Sequence, residues 1–158
     1  MKGSNTMNLR EAKRTWSLDR WDYNCGGYAL ETYDWYMPYD NEGESWCFLE
    51  DYIEEAGFDA ANDMCIEHIL ADFPELRIVR EQAVRDKLVD FNKYQIIAFR
   101  LETDGTNDFH FMKLGKNGSW YEKRGASGII HRHNYEYVFG VWNGRYNGNI
   151  TFFARERY

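Results

Sequence analysis

The chain has 158 residues, 44% hydrophobic and 28% charged, with a net charge of -7, which fits one domain able to bury a core without covalent staples. Three cysteines with no paired spacing argue against a disulfide framework, and no stretch reaches the roughly 18–20 apolar residues of a membrane span. We therefore expect a single domain over residues 1–158, soluble and cytoplasmic, with reduced thiols, no membrane partner, and residues 1–8 as a polar extension in which Met7 is an alternative start.

In chain order, Leu9 to Trp16 predicts a short helix, and Cys25 to about Tyr36 a second that ends at Met37-Pro38, because the residue before proline avoids helical geometry. Ser45 to Ala56 and Asp59 to Asp72 follow as helices. In the latter, Ala60, Met64, Cys65, Ile69 and Phe73 form an apolar stripe. After Pro74 the pattern changes to strands: Leu76 to Val79, and Tyr94 to Leu101, rich in Ile and Phe. A hairpin follows, with strands Asp108 to Leu114 and Ser119 to Lys123 around Gly115-Lys116-Asn117-Gly118, where Asn-Gly tolerates positive φ. Tyr135 to Trp142 and Asn149 to Ala154 are the last predicted strands. The fold class expected is α+β, with N-terminal helices packed on an antiparallel sheet.

Charge is distributed unevenly along this order. No Lys or Arg lies between Arg20 and Arg77, a segment holding fifteen Asp and Glu, so the flanking parts carry a net +8. Folded as helices, the block would project negative potential that steers a basic partner and repels nucleic acid phosphates. Glu50, Asp51, Glu54 and Glu55 form its densest run. A solvated helical face is the simpler use of the same residues. Aromatic residues make up 18% of the chain, but those of the first half alternate with acids, which favours core packing over base stacking. There is no glycine-rich phosphate loop.

Among the cysteines, Cys25 stands out in Asn24-Cys25-Gly26-Gly27-Tyr28-Ala29-Leu30. A thiolate at a helix start is stabilised by free N–H groups and the dipole, and Gly26 and Gly27 would let a substrate carbonyl approach N–H groups able to hold an oxyanion. A small buried filler is the alternative. Cys65 on its apolar stripe, and Cys47 beside Trp46 and Phe48, read as core thiols. A nucleophile needs a base, and only His68, His110, His131 and His133 are available. His110 alternates with Phe109 and Phe111, so it shares a strand face with Asp108 and Met112, where a helix bearing Cys25 could meet it. Across the hairpin, Glu122 could hold the imidazole as the third member of a triad. A strand histidine satisfying one buried hydrogen bond is the alternative. His131 and His133 share a face if their segment is a strand. His-x-His is compatible with zinc, but no third ligand is evident, so no metal or other cofactor is expected.

Taken together, Asn24-Cys25-Gly26-Gly27-Tyr28-Ala29-Leu30, Asp108-Phe109-His110-Phe111 and Trp120-Tyr121-Glu122-Lys123-Arg124-Gly125 resemble the compact NlpC/P60-like branch of the papain-like thiol hydrolases, over about Trp16 to Gly125. The chain is also similar to small proteins of Firmicutes phages and mobile elements. The resemblance implies a papain-like fold and a cysteine peptidase or amidase acting on a protein or peptide. It assigns Cys25 as nucleophile, His110 as base and Glu122 as orienter. Related sequences favour histidine at the third position, in a Trp-Tyr-His-Lys pattern, so Glu122 departs from it. Secreted hydrolases of this class carry signal segments or wall-binding repeats, which are not seen here. A second resemblance, to anti-defence proteins including anti-CRISPR proteins, implies a binding module whose acidic helices occupy the basic groove of a host immune nuclease such as Cas9, without binding nucleic acid directly.

Overall fold

A computed structural model describes residues 23–39, 48–103, 108–125 and 129–157. The expected Leu9 to Trp16 helix and the expected thiol Cys47 lie outside the described residues. Chain order runs α1 (Cys25–Ala29), α2 (Phe48–Ala56), α3 (Phe58–Asp72), β1 (Arg77–Val79), α4 (Glu81–Arg85), β2 (Tyr94–Leu101), β3 (Phe109–Leu114), β4 (Trp120–Lys123), β5 (Ile130–His133), a 3-10 helix (Tyr135–Phe139) and β6 (Thr151–Glu156). The fold is α+β. Its six strands form one sheet in the order β1-β6-β2-β3-β4-β5, and every neighbouring pair is antiparallel.

The centre of the sheet explains the unbroken apolar run of β2. Ile97, Phe99 and Leu101 face one core with Phe109, Phe111 and Phe153, covered by Leu49 and Ile53 of α2 and by Ala61, Cys65 and Ile69 of α3. Ile96 and Ala98 face a second core with Met112, Leu114, Trp120 and Phe152, closed by Val84, Val138, Trp142 and Tyr146. A strand buried on both faces loses the alternation that a one-sided strand shows. The buried stripe of α3 runs through Ala61, Cys65 and Ile69, one residue round the helix from the expected Ala60.

Two expected elements are different in the structure. The first is the helix from Cys25, which stops at Ala29 rather than Tyr36. Glu31 and Tyr33 both adopt positive φ, 60° and 55°, a geometry costing roughly 1–2 kcal/mol per non-glycine residue. The chain doubles back there: the N–H groups of Thr32 and Tyr33 both donate to the Gly27 carbonyl, and Lys113 anchors Glu31 at 3.0 Å. A Cβ on Gly27 would lie 1.8 Å from the Asp34 carbonyl oxygen, so this return requires glycine.

The second is Tyr135 to Trp142, which is not a strand but a 3-10 helix over Tyr135–Phe139 followed by a turn. The Asn134 side chain accepts from the Tyr137 N–H and starts the turn, while Trp120 Nε1 donates to the Tyr135 carbonyl. The strand that pairs with β4 is instead Ile130–His133. Among the described residues, no helix is long and apolar enough to cross a membrane.

Candidate active site

Asn24 sets the position of Cys25. Its side chain accepts from the Gly27 N–H at 3.0 Å, capping α1, and forms a second pair of bonds with the Tyr36 backbone, accepting from its N–H and donating to its carbonyl. One side chain thus starts the helix and ties the returning chain to it, leaving Cys25 as the first helical residue. The Gly27 N–H is consumed by this cap, which corrects its expected place in an oxyanion site. Gly26 is packed closely as well, since a Cβ there would approach Tyr36 and Phe111 to 3.1–3.3 Å. Both glycines therefore serve backbone packing, and the N–H groups that a helix leaves without an internal acceptor here are those of Cys25 and Gly26. With five residues, α1 is too short to develop a macrodipole.

The helix lies on the face of β3 that bears Phe109 and Phe111, because Cys25, Ala29 and Leu30 belong to their core. That is opposite to the face expected from alternation. His110 instead lies among residues of the other core, stacked on Tyr146 with ring centroids 4.8 Å apart and edge-on to Trp142. The two faces communicate where β3 and β4 part. Their ladder holds only Lys113 opposite Tyr121 and Leu114 opposite Trp120, and α1 contacts both strands. There the Cys25 thiol lies beside His110, near enough to raise the affinity of its imidazole for a proton.

Glu122 completes the line. Its Oε1 lies 2.5 Å from His110 Nε2, which leaves Nδ1 as the ring nitrogen for sulfur. Oε1 also accepts from Asn143 Nδ2 at 2.8 Å, and Oε2 lies 2.5 Å from His133 Nε2 with Arg124 at 3.4 Å. A fully buried carboxylate would be costly without such partners. Burial favours its neutral acid, but the bonds from His110, Asn143 and His133 outweigh this and hold Glu122 well below the usual carboxylate range. Burial alone would likewise lower His110, yet interaction with Cys25 and Glu122 raises it to about 9.

Cys25, His110 and Glu122, far apart in sequence, are thus brought together, with the thiol 4% and the imidazole 2% exposed. His133, Asn143, Trp142 and Tyr146 complete the surroundings and were not singled out for this site from the sequence. The only sequence signal was the alternation of His131 and His133, which the structure shows as β5, with His131 in register with Glu122. Among the described residues, no group of three His, Cys, Asp or Glu is arranged to hold a metal. His68 lies on α3, whereas His110 and Glu122 lie on β3 and β4. Glu50, Asp51, Glu54 and Glu55 are all exposed on α2.

No protein-family model, curated protein or solved structure matches the chain.

Proposed function

We propose that this protein is a thiol hydrolase of papain-like, NlpC/P60-like type, from a phage or mobile element, that cleaves an amide or isopeptide bond of a protein or peptide in the cytoplasm of the host cell. The carrying observation is the Cys25–His110–Glu122 line, with His110 Nε2 at 2.5 Å from the carboxylate. His110 takes the thiol proton at Nδ1, and Glu122 stabilises the imidazolium so formed. Sulfur attacks the substrate carbonyl carbon, and the N–H groups of Cys25 and Gly26 receive the oxyanion. His110 then protonates the departing amine, leaving an acyl thioester. Water attacks the thioester, gives its proton to His110 and releases the acid as sulfur regains a proton. Activity towards amide and isopeptide peptides is the test. Cys25→Ala and His110→Ala are each expected to abolish it, the double variant being little worse because the two act as a unit; full activity in folded Cys25→Ala overturns the reading.

A second reading is favoured by one different observation, the exposed acids of α2 in a segment without a single Lys or Arg. In that reading the protein is an anti-defence inhibitor of anti-CRISPR type, docking its acidic helices on a basic Cas9-type nuclease or its guide complex. Binding would weaken with salt and with reversal of Glu50, Asp51, Glu54 and Glu55, while Cys25→Ala would keep its effect. Salt-insensitive binding overturns it.

A further inference from the structure

Glu122 is shared between two imidazoles, of which the proposed reaction uses only one. His110 holds Oε1 and His133 holds Oε2, both at 2.5 Å. The second imidazole is itself firmly placed: its ring stacks on Tyr137 with centroids 3.7 Å apart and planes 5° from parallel. Tyr137 is fixed in turn by its hydroxyl, which donates to Asn143 Oδ1 and accepts from the Asn143 N–H. Asn143 then donates to Glu122 from its amide. The result is a closed circuit running Glu122, His133, Tyr137, Asn143 and back to Glu122, joined to His110 at one carboxylate oxygen.

We propose that His133 is a positioning residue for the Cys25–His110 pair: by holding Oε2 of Glu122 it fixes the carboxylate so that Oε1 stays on His110 Nε2 and Nδ1 stays turned to sulfur. The inference rests on the reading of Cys25 and His110 as a working pair, but its consequences can be measured without any substrate. The physical argument is one of orientation. A carboxylate gripped through both oxygens cannot rotate away from its imidazole, whereas one held through a single oxygen shared by two donors can. Arg124 does not replace His133, because it is half-exposed and stands 3.4 Å from Oε2. The charged or titratable groups facing His133 are Glu122 from β4, His131 from its own strand and Tyr137 from the 3-10 helix, while Arg124 faces Glu122 and His131. Those facing His110 are Cys25, Glu122 and Tyr146.

The experiment is a pH titration of the His110 ring followed by proton and nitrogen NMR in the full chain. Wild type is compared with His133→Gln, whose amide reaches the place of Nε2, and His133→Asn, whose amide falls short of it. Both replacements are polar at a partly exposed position, so the fold should tolerate them. In wild type, two low-field imidazole N–H signals are expected, one each from His110 and His133, as short bonds to a buried carboxylate produce. The His110 midpoint should fall by about one pH unit in His133→Asn, the size of shift that a weakened charged partner causes, and stay close to wild type in His133→Gln. An unchanged midpoint in His133→Asn, or a missing low-field signal from His133 in wild type, overturns the proposal. The failure of the hydrolase reading looks different: an inert Cys25 or an activity untouched by His110→Ala would leave the titration result standing.

Discussion

The region around Cys65 and the region around Cys25 both bury a thiol almost completely, at 0% and 4% exposure, yet they are chemically unlike. Cys65 lies on α3 between Ala61 and Ile69, packed into an apolar core, and burial pushes it up to about 12. Cys25 lies at the start of a helix that opens where β3 and β4 part, beside an imidazole that a buried carboxylate grips. Burial therefore does not distinguish these two thiols. The neighbouring group able to take the proton does.

The largest expected difference between the two regions is in alkylation. With limiting iodoacetamide at pH 7.5, peptide mapping by mass spectrometry should show Cys25 modified about 100-fold faster than Cys65, since only the thiolate reacts. Faster labelling of Cys65 would erase the comparison.

Stability against pH sharpens it next. The folded-state value of His110 lies above its ordinary 6.5, at about 9, so its contribution is fully present below about pH 6.5 and is lost as pH rises through 9. Glu122 is depressed, so its contribution is present above the usual carboxylate range and is lost on acidification. The His110 part is on the order of 3 kcal/mol. Thermal unfolding should show wild type losing stability between pH 6.5 and 9.5, with the loss largely absent from His110→Gln, whereas Cys65→Ala should keep the wild-type slope. Parallel slopes in wild type and His110→Gln would contradict the assignment.

A smaller effect is expected at the carboxylate itself. Glu122→Gln keeps the shape but removes the charge that favours an imidazolium, so Cys25 alkylation at pH 6.5 and peptide hydrolysis should both fall about tenfold, less than in Cys25→Ala. A change confined to thermal stability would reduce Glu122 to a packing role. The smallest effect belongs to the helical side: reversing Glu50, Asp51, Glu54 and Glu55, all exposed, should move folding stability by no more than about 0.5 kcal/mol per residue and leave Cys25 alkylation unchanged. Slower alkylation in that variant would mean that the two regions are coupled.

Much of the fold was legible from local patterns. Tyr94–Leu101 begins and ends where its apolar run does, and the chain turns between β3 and β4 where Asn-Gly stands, although Gly118 adopts positive φ and Asn117 does not, the turn being closed by the Gly118 N–H donating to the Gly115 carbonyl. Two elements depart from their local pattern for a nonlocal reason. Nothing between Leu30 and Tyr36 announces a helix end, because the end is imposed by Asn24 binding the Tyr36 backbone and by the chain folding over Gly27. The aromatic run Tyr135 to Trp142 has strand composition, but Asn134 caps it into a 3-10 turn and Trp120 takes its first carbonyl.

By itself, then, the sequence determined which groups were available for chemistry: one cysteine at an expected helix start, one histidine alternating with phenylalanines, and one glutamate on the partner strand of a hairpin. It also determined the acidic character of α2 and α3, since charge along a helix requires no tertiary contact. Only the tertiary structure decided that the helix covers the opposite face of β3, that Cys25 lies close enough to His110 to act on its imidazole, and that His133 and Asn143 share the carboxylate. Those relations depend on strand pairing and on residues tens of positions apart. Side-chain periodicity specifies which face a residue occupies, whereas sheet register and strand divergence specify what it meets there.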